Sequence, residues 1–214
     1  MDGTVGPNIA LWNLSDTWRS AILTRSARGL RTKRRTSSLL AGRLREDAGI
    51  DVALVNLGVN GYKTTDLIRE ELPVASGLHP EVVTILIGAN DVVQRSTEAA
   101  YQKRLAAIYD ALLGWEPPAT TVLAISTPDF SALPGARPFG TASDLRVRID
   151  AFNRIAASEA AARGFQYADI SSISREEARG RDWLAADGLH PGPAQHHAIA
   201  DHLWTVLGPA IKKR

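Results

Sequence analysis

Short apolar runs alternate along the chain with longer stretches in which apolar residues recur every three to four positions. The short runs, at 52–57, 82–87, 121–126 and 165–170, are rich in Val, Ile and Leu and bounded by Gly, Pro, Asn or Asp. They predict four buried strands. Between them, helical periodicity runs from Thr65 to about Leu72, from Thr97 to Trp115, from Ser143 to Arg163 and from Pro193 to about Leu207. Thr97 suits a helix N-cap, Gly164 suits a C-terminal stop, and Pro117-Pro118 ends the second helix. Strands alternating with helices imply a parallel sheet covered on both faces, with ligands at the carboxyl ends of its strands. The Gly58 to Gly61 turn and the Gly88-Ala89-Asn90-Asp91 turn both fall there. A Pro- and Gly-containing loop of about 15 residues follows the third strand, a length that favours a functional role.

The 214 residues read as one substantial core, burying roughly 70% of the unfolded chain's surface. At 44% hydrophobic and 22% charged, the chain is neither disordered, collagenous nor coiled-coil. No stretch reaches the ~20 apolar residues of a membrane span. Without cysteine there is no disulfide, thiolate metal site or Cys nucleophile.

Charge adds a second feature. The formal net charge is +2, yet residues 1–45 carry +7 and the remainder −5. From Thr17 to Arg45 there is no acidic residue, and Arg25, Arg28, Arg31, Lys33, Arg34 and Arg35 crowd together. A nucleic-acid arm would use such a block, but aromatic interleaving and a reader fold are missing. A transit peptide or twin-arginine signal would also be Arg-rich, but the following residues 37–44 are too short and polar for an export segment. The expected partners therefore exclude nucleic acid, and the expected location is cytoplasmic.

Three places carry chemistry. Asp187 and His190, in Asp187-Gly188-Leu189-His190-Pro191, place a carboxylate and an imidazole three residues apart in a punctuated loop. The acid can hold one ring nitrogen while the other faces a substrate, the base half of a hydrolase triad. An isolated pair of this spacing is more often a chance surface pair. Asn90 offers a neutral amide donor at a strand end, or a simple turn residue or helix cap. Gly61 offers a backbone N–H in a tight turn, or a plain strand-to-helix connection. Phe130, Leu133 and Phe139 in the long loop are candidates for contact with the acyl or alcohol group, and Trp183 for a pocket wall or a core anchor. His196, His197 and His202, on the last helix, do not share a metal-binding face and read as surface or packing residues.

In this order the pieces resemble the SGNH hydrolases, the GDSL family of esterases and lipases, over roughly residues 39–207. Asn56-Leu57-Gly58-Val59-Asn60-Gly61 is similar to the family's second block, Gly88-Ala89-Asn90-Asp91 to the third, and Ala186-Asp187-Gly188-Leu189-His190-Pro191 to the fifth. The resemblance implies a flavodoxin-like three-layer α/β/α fold and hydrolysis of small-molecule carboxylic esters without metal or organic cofactor. It assigns Asp187 and His190 to the triad, and Gly61 and Asn90 to the oxyanion hole.

The family's nucleophile block, Gly-Asp-Ser, is missing. Ser15, after the apolar run 8–14, is a candidate nucleophile, although a turn or N-cap serine is the plainer reading. A second explanation lies in the gene. Residues 17–24 can be encoded ACC TGG CGC TCG GCG ATT CTT ACA, and removing two bases gives Leu-Ala-Leu-Gly-Asp-Ser-Tyr. Continuing through residues 25–29 gives Thr-Ile-Gly-Thr-Gly. Residues 17–36 are thus compatible with translation out of frame. This divides the chain into an atypical basic segment, 1–38, and a hydrolase domain, 39–214. The chain as written is expected to be a very weak or inactive esterase; the alternative is a non-catalytic remnant or binding protein of the same fold, with a nucleic-acid-binding basic arm a distant third.

Overall fold

The computed structural model describes residues 36–115, 121–175, 180 and 182–212. Three of the apolar runs form strands, β1 (Val82–Ile85), β2 (Thr121–Ile125) and β3 (Gln166–Ala168). They pair in parallel in the order β1-β2-β3, with Val82 beside Thr121 and Leu123 beside Gln166. Around them lie α1 (Thr36–Ala48), α2 (Thr64–Asp66), which continues through a π turn (Leu67–Glu71) into α3 (Leu72–Ser76), and α4 (Ala89–Val93). Then follow α5 (Glu98–Leu113), α6 (Ala142–Ala162), α7 (Ser171–Arg175) and α8 (Pro193–Lys212).

Strand side chains alternate between two cores, as the pleat requires. Val83, Ile85, Val122 and Ala124 face one core, built with Leu105 of α5 and Ile149 of α6. Val82, Leu123 and Ile125 face the other, built with Leu40 and Leu44 of α1 and Ile199 and Leu203 of α8. The result is the expected three-layer α/β/α architecture. Tyr101 and Phe152 stack with ring centroids 4.1 Å apart where α5 meets α6. Across the other layer, Thr36 Oγ1 and His196 Nδ1 lie 2.8 Å apart in a buried hydrogen bond. His196 is therefore a packing residue, while His197 is exposed. α1 opens at Thr36, so a boundary drawn at residue 38 falls inside this helix. Among the described residues, no helix is long and apolar enough to cross a membrane.

The run at 52–57 departs from expectation, because it forms no strand with β1, β2 or β3. Val52 is buried in the second core, and Leu54 and Val55 pack against it. The apolar pattern therefore reports burial. A ladder also needs a backbone about 4.8 Å away, and no described strand runs beside this segment. Instead, the Arg45 guanidinium donates to the Val52 carbonyl.

Three boundaries shift for local reasons. Thr141 rather than Ser143 precedes α6, accepting the Asp144 N–H at 3.1 Å. β3 is shorter than the run at 165–170. Its first residue is used in ending α6: Gly164 (φ +67°) and Phe165 donate to Ala161 O and Ala160 O in a Schellman arrangement. At the other end the Ile170 N–H goes to Ser126 Oγ, at 2.9 Å. α8 continues past Leu207 through Pro209, and Ile211 still packs on the second core.

Leu203→Ala is expected to cost about 2–5 kcal/mol, because Leu203 is 1% exposed. Thr97→Ala removes the cap on the Ala100 N–H and should cost about 1 kcal/mol. Urea denaturation followed by circular dichroism measures both, and equal costs would contradict this ranking.

Candidate active site

The glycine turn is shaped by its own backbone. Asn56 Oδ1 accepts the Gly58 N–H at 3.0 Å, and the Tyr62 N–H reaches Val59 O at 3.3 Å. Gly61 has φ +86°, and an added Cβ would find open space. The sign of φ, not crowding, favours glycine there. Gly88 is constrained twice, because its φ is +133° and a Cβ would lie 2.9 Å from both Thr127 Oγ1 and Tyr101 Oη. This turn starts α4 and presents Asn90, whose Nδ2 donates to Tyr62 O at 3.0 Å. The two turns are thereby joined.

Asp91 joins them more firmly. Its side chain is wholly buried, with Oδ2 accepting the Thr64 N–H at 2.9 Å. Oδ1 accepts from Thr64 Oγ1 (2.8 Å), Ser96 Oγ (3.1 Å) and Arg104 Nη2 (3.0 Å). Arg104 Nε also donates to Thr64 Oγ1, at 2.6 Å. One carboxylate therefore ties the start of α2 to α4 and to the middle of α5. Sequence reasoning did not single out Asp91, Thr64 or Arg104. The only local signal is an acid directly after Asn90 at a buried strand end.

The third piece is the loop from Asp182 to Gly192. It folds back on itself through Ala185 N–H to His190 O (2.8 Å) and Gly192 N–H to Trp183 O (2.8 Å). Gly192 permits this closure, since a Cβ would lie 2.2 Å from Asp182 O. Trp183 is buried and anchors the loop without lining the cavity. Asp187 Oδ1 accepts the N–H groups of Leu189 (2.9 Å) and His190 (3.0 Å), and Oδ2 lies 2.6 Å from His190 Nδ1. Desolvation opposes the charged form, but these bonds from the His190 backbone, the His190 ring and Leu189 hold the carboxyl below its ordinary value. An ionised carboxylate only accepts, so Nδ1 carries the proton in this hydrogen bond.

The pieces meet at a cavity of about 270 Å³. Among the described residues it is lined by the polar Asn60, Gly61, Asn90 and His190 and by the apolar Ala89, Val93, Phe130, Phe139 and Leu189. Phe130 and Phe139 thus come to the site from the long loop, whereas Leu133 is buried in the first core. A 3₁₀ turn at Pro134–Phe139 docks this loop on the histidine loop through Gly135 N–H to Gly188 O, at 3.1 Å. A Cβ on Gly135 would sit 2.6 Å from Asp187 O. Ser15 lies outside the described residues. Among the described residues, no three His, Asp or Glu side chains converge as a metal site.

The GDSL-like lipase/acylhydrolase family model matches residues 17–198. The chain belongs to this family. Solved structures agree with the family's fold at low identity. LAE5, an alpha/beta hydrolase from the metagenome of Lake Arreo, Spain, is 22% identical, with a TM-score of 0.72 and coverage of 95% of this chain and 96% of its own. A GDSL-like lipase structure from Parabacteroides merdae is 20% identical, with TM-score 0.76 and the same coverage of 95% and 96%. An acetylxylan esterase from Geobacillus stearothermophilus is 19% identical, with TM-score 0.70, covering 98% and 95%. Comparison with curated proteins finds no match.

Two outcomes follow from this GDSL-family geometry. Asp91→Ala leaves Arg104 without its buried carboxylate and should cost about 3 kcal/mol in urea denaturation. The folded Asp187 carboxyl titrates below the ordinary aspartate value of about 3.9, so its stabilisation is present above that pH and fades as pH falls further. Asp187→Asn should therefore flatten the dependence of melting temperature on pH below about 4. An unchanged acid limb would contradict that contribution.

Proposed function

We propose that this site is the acyl-transfer centre of a serine ester hydrolase. The reading is carried by one observation: Gly61, Asn90 and His190 line the same cavity, with Asp187 2.6 Å behind the histidine ring. A serine hydroxyl from the segment preceding Thr36 attacks the ester carbonyl. His190 Nε2 takes its proton and returns it to the leaving alcohol, while Asp187 fixes the tautomer and stabilises the imidazolium. The Gly61 N–H and the Asn90 amide receive the tetrahedral oxyanion, each worth about 3 kcal/mol of barrier. Water repeats the attack on the acyl-enzyme.

The serine is the incomplete part. We propose that residues 17–36 are translated out of frame and that the restored frame supplies Gly-Asp-Ser. The supports are the compatible codons and the acid-free Arg-rich composition of 17–36. The chain as written then has a base and oxyanion donors without their nucleophile.

The test compares the 214-residue chain with a frame-restored version on 4-nitrophenyl butyrate. The restored chain should be at least about a thousandfold more active and be labelled by a fluorophosphonate at the new serine. His190→Ala in the restored chain should abolish turnover while leaving the circular dichroism spectrum intact. An unaffected rate would refute the role of His190. Rapid labelling of the original chain at Ser15, or coding DNA that does not spell Gly-Asp-Ser in the shifted frame, would overturn the out-of-frame reading.

A further inference from the structure

The 3₁₀ turn and the histidine loop meet at two glycines, which are needed for different reasons. Gly188 has φ +66°, a left-handed conformation that favours glycine by itself. Gly135 has no positive φ, so its backbone alone would admit other residues. Contact is what excludes a side chain there: a Cβ would lie 2.6 Å from Asp187 O, 2.7 Å from Leu189 Cβ and 3.2 Å from Gly188 C. All three atoms belong to the stretch immediately before His190.

Anchoring decides which side of this contact would yield to an added atom. Leu133 and Ala136 flank Gly135 and are buried in the first core. A turn pinned on both sides cannot withdraw without opening a void in that core. The histidine loop is pinned lower down, by buried Trp183 and the bridge between Leu184 and Pro191, while Ala186 and Asp187 at its tip are exposed. The tip is therefore the part that moves. The grip of Asp187 on His190 is built there, from one carboxylate, two backbone N–H groups and the ring.

We propose that Gly135 is a positioning residue for the Asp187–His190 pair, its bare Cα forming the seat on which the backbone of residues 187–189 rests. The Gly135 N–H bond to Gly188 O, at 3.1 Å, holds the tip down on that seat, and the missing Cβ sets how close it comes. Gly135 touches no reacting group and acts through the placement of the carboxylate behind the imidazole. That the pair serves ester hydrolysis rests on the hydrolase reading, but the seat rests on geometry alone.

The test reads the pair directly, by NMR of the full 214-residue chain, and so does not need the nucleophile. It follows the His190 Nδ1 proton, identified by its loss in His190→Ala, and the titration of the Asp187 carboxyl. In Gly135→Ala the proton resonance should move upfield or vanish, and the Asp187 titration should rise towards the ordinary value of about 3.9. Gly140→Ala is the control: it strains the same loop at φ +148°, but its Cβ would meet only Leu145, at 3.8 Å, so it should move neither signal. In a frame-restored chain Gly135→Ala should lower kcat about ten- to a hundredfold with little change in KM. Pro134→Gly adds no atom at the contact and serves if Gly135→Ala does not fold; loosening the turn should speed solvent exchange of the Nδ1 proton about two- to fivefold. Unmoved signals in a folded Gly135→Ala, an equal effect from Gly140→Ala, or unchanged exchange in Pro134→Gly would each overturn the inference. Moved signals in a frame-restored chain that hydrolyses no ester would uphold the seat and refute only the hydrolase reading. Hydrolysis with a kcat untouched by Gly135→Ala would do the reverse.

Discussion

A carboxylate with no exposed surface must be matched by donors, and the way Asp91 is matched determines one half of the site. Its partners come from the start of α2, from the turn after α4 and from α5. The glycine turn that ends at Gly61 runs straight into α2, and Asn90 is the residue before Asp91. Neither can shift without disturbing a buried ionic network, which tolerates the loss of a partner poorly. The Asn90 bond to Tyr62 O then adjusts one turn against the other, at 3.0 Å. Positions that look like separate loops are thus set by a single buried charge.

The other half has its own buried acid. Asp129 is wholly buried at the base of the long loop, with Oδ2 2.7 Å from Arg175 Nε and 3.0 Å from Arg146 Nη1. Its Oδ1 accepts the Ser131 N–H at 3.0 Å, and its own N–H donates to Ser174 Oγ at 2.7 Å. Phe130 lies between these anchored residues, which is why a loop residue can serve as a rigid cavity wall. The loop then docks on the histidine loop only because Gly135 lacks a Cβ. The cavity is the seam between two assemblies, each held by a buried aspartate and arginine. Preorganisation of this kind holds polar groups in place before any ligand arrives.

Much of this frame is legible in the sequence, and the limits have physical causes. The alternation that predicts strands depends on burial, so it finds β1, β2 and most of β3, and it also marks 52–57, which is apolar and packed but unpaired. Local capping is visible because Thr97 and its Ala100 partner are three residues apart, and the Asp187 and His190 spacing is visible for the same reason. The Asp91 network is not visible in that way. Thr64 lies 27 residues before Asp91 and Arg104 13 residues after it, and only the fold brings them together. The same holds for Leu133 and Phe139, neighbours in one loop. The 3₁₀ turn sends Leu133 into the core and Phe139 to the cavity.

Charge accounting bears on the basic end as well. In the described fold, the arginines that hold the site meet acids: Arg104 with Asp91, and Arg146 and Arg175 with Asp129. The surface follows the same habit, with Arg163 between Asp110 and Glu159. A chain built this way spreads acids along its length, and the −5 balance after residue 45 reflects it. Residues 17–45 contain no acid, while six basic residues fall between 25 and 35. That break in charge habit falls in a chain that contains no Gly-Asp-Ser. A nucleic-acid arm would account for the charge alone. The shifted reading frame proposed above would account for the charge, the missing acids and the missing Gly-Asp-Ser together.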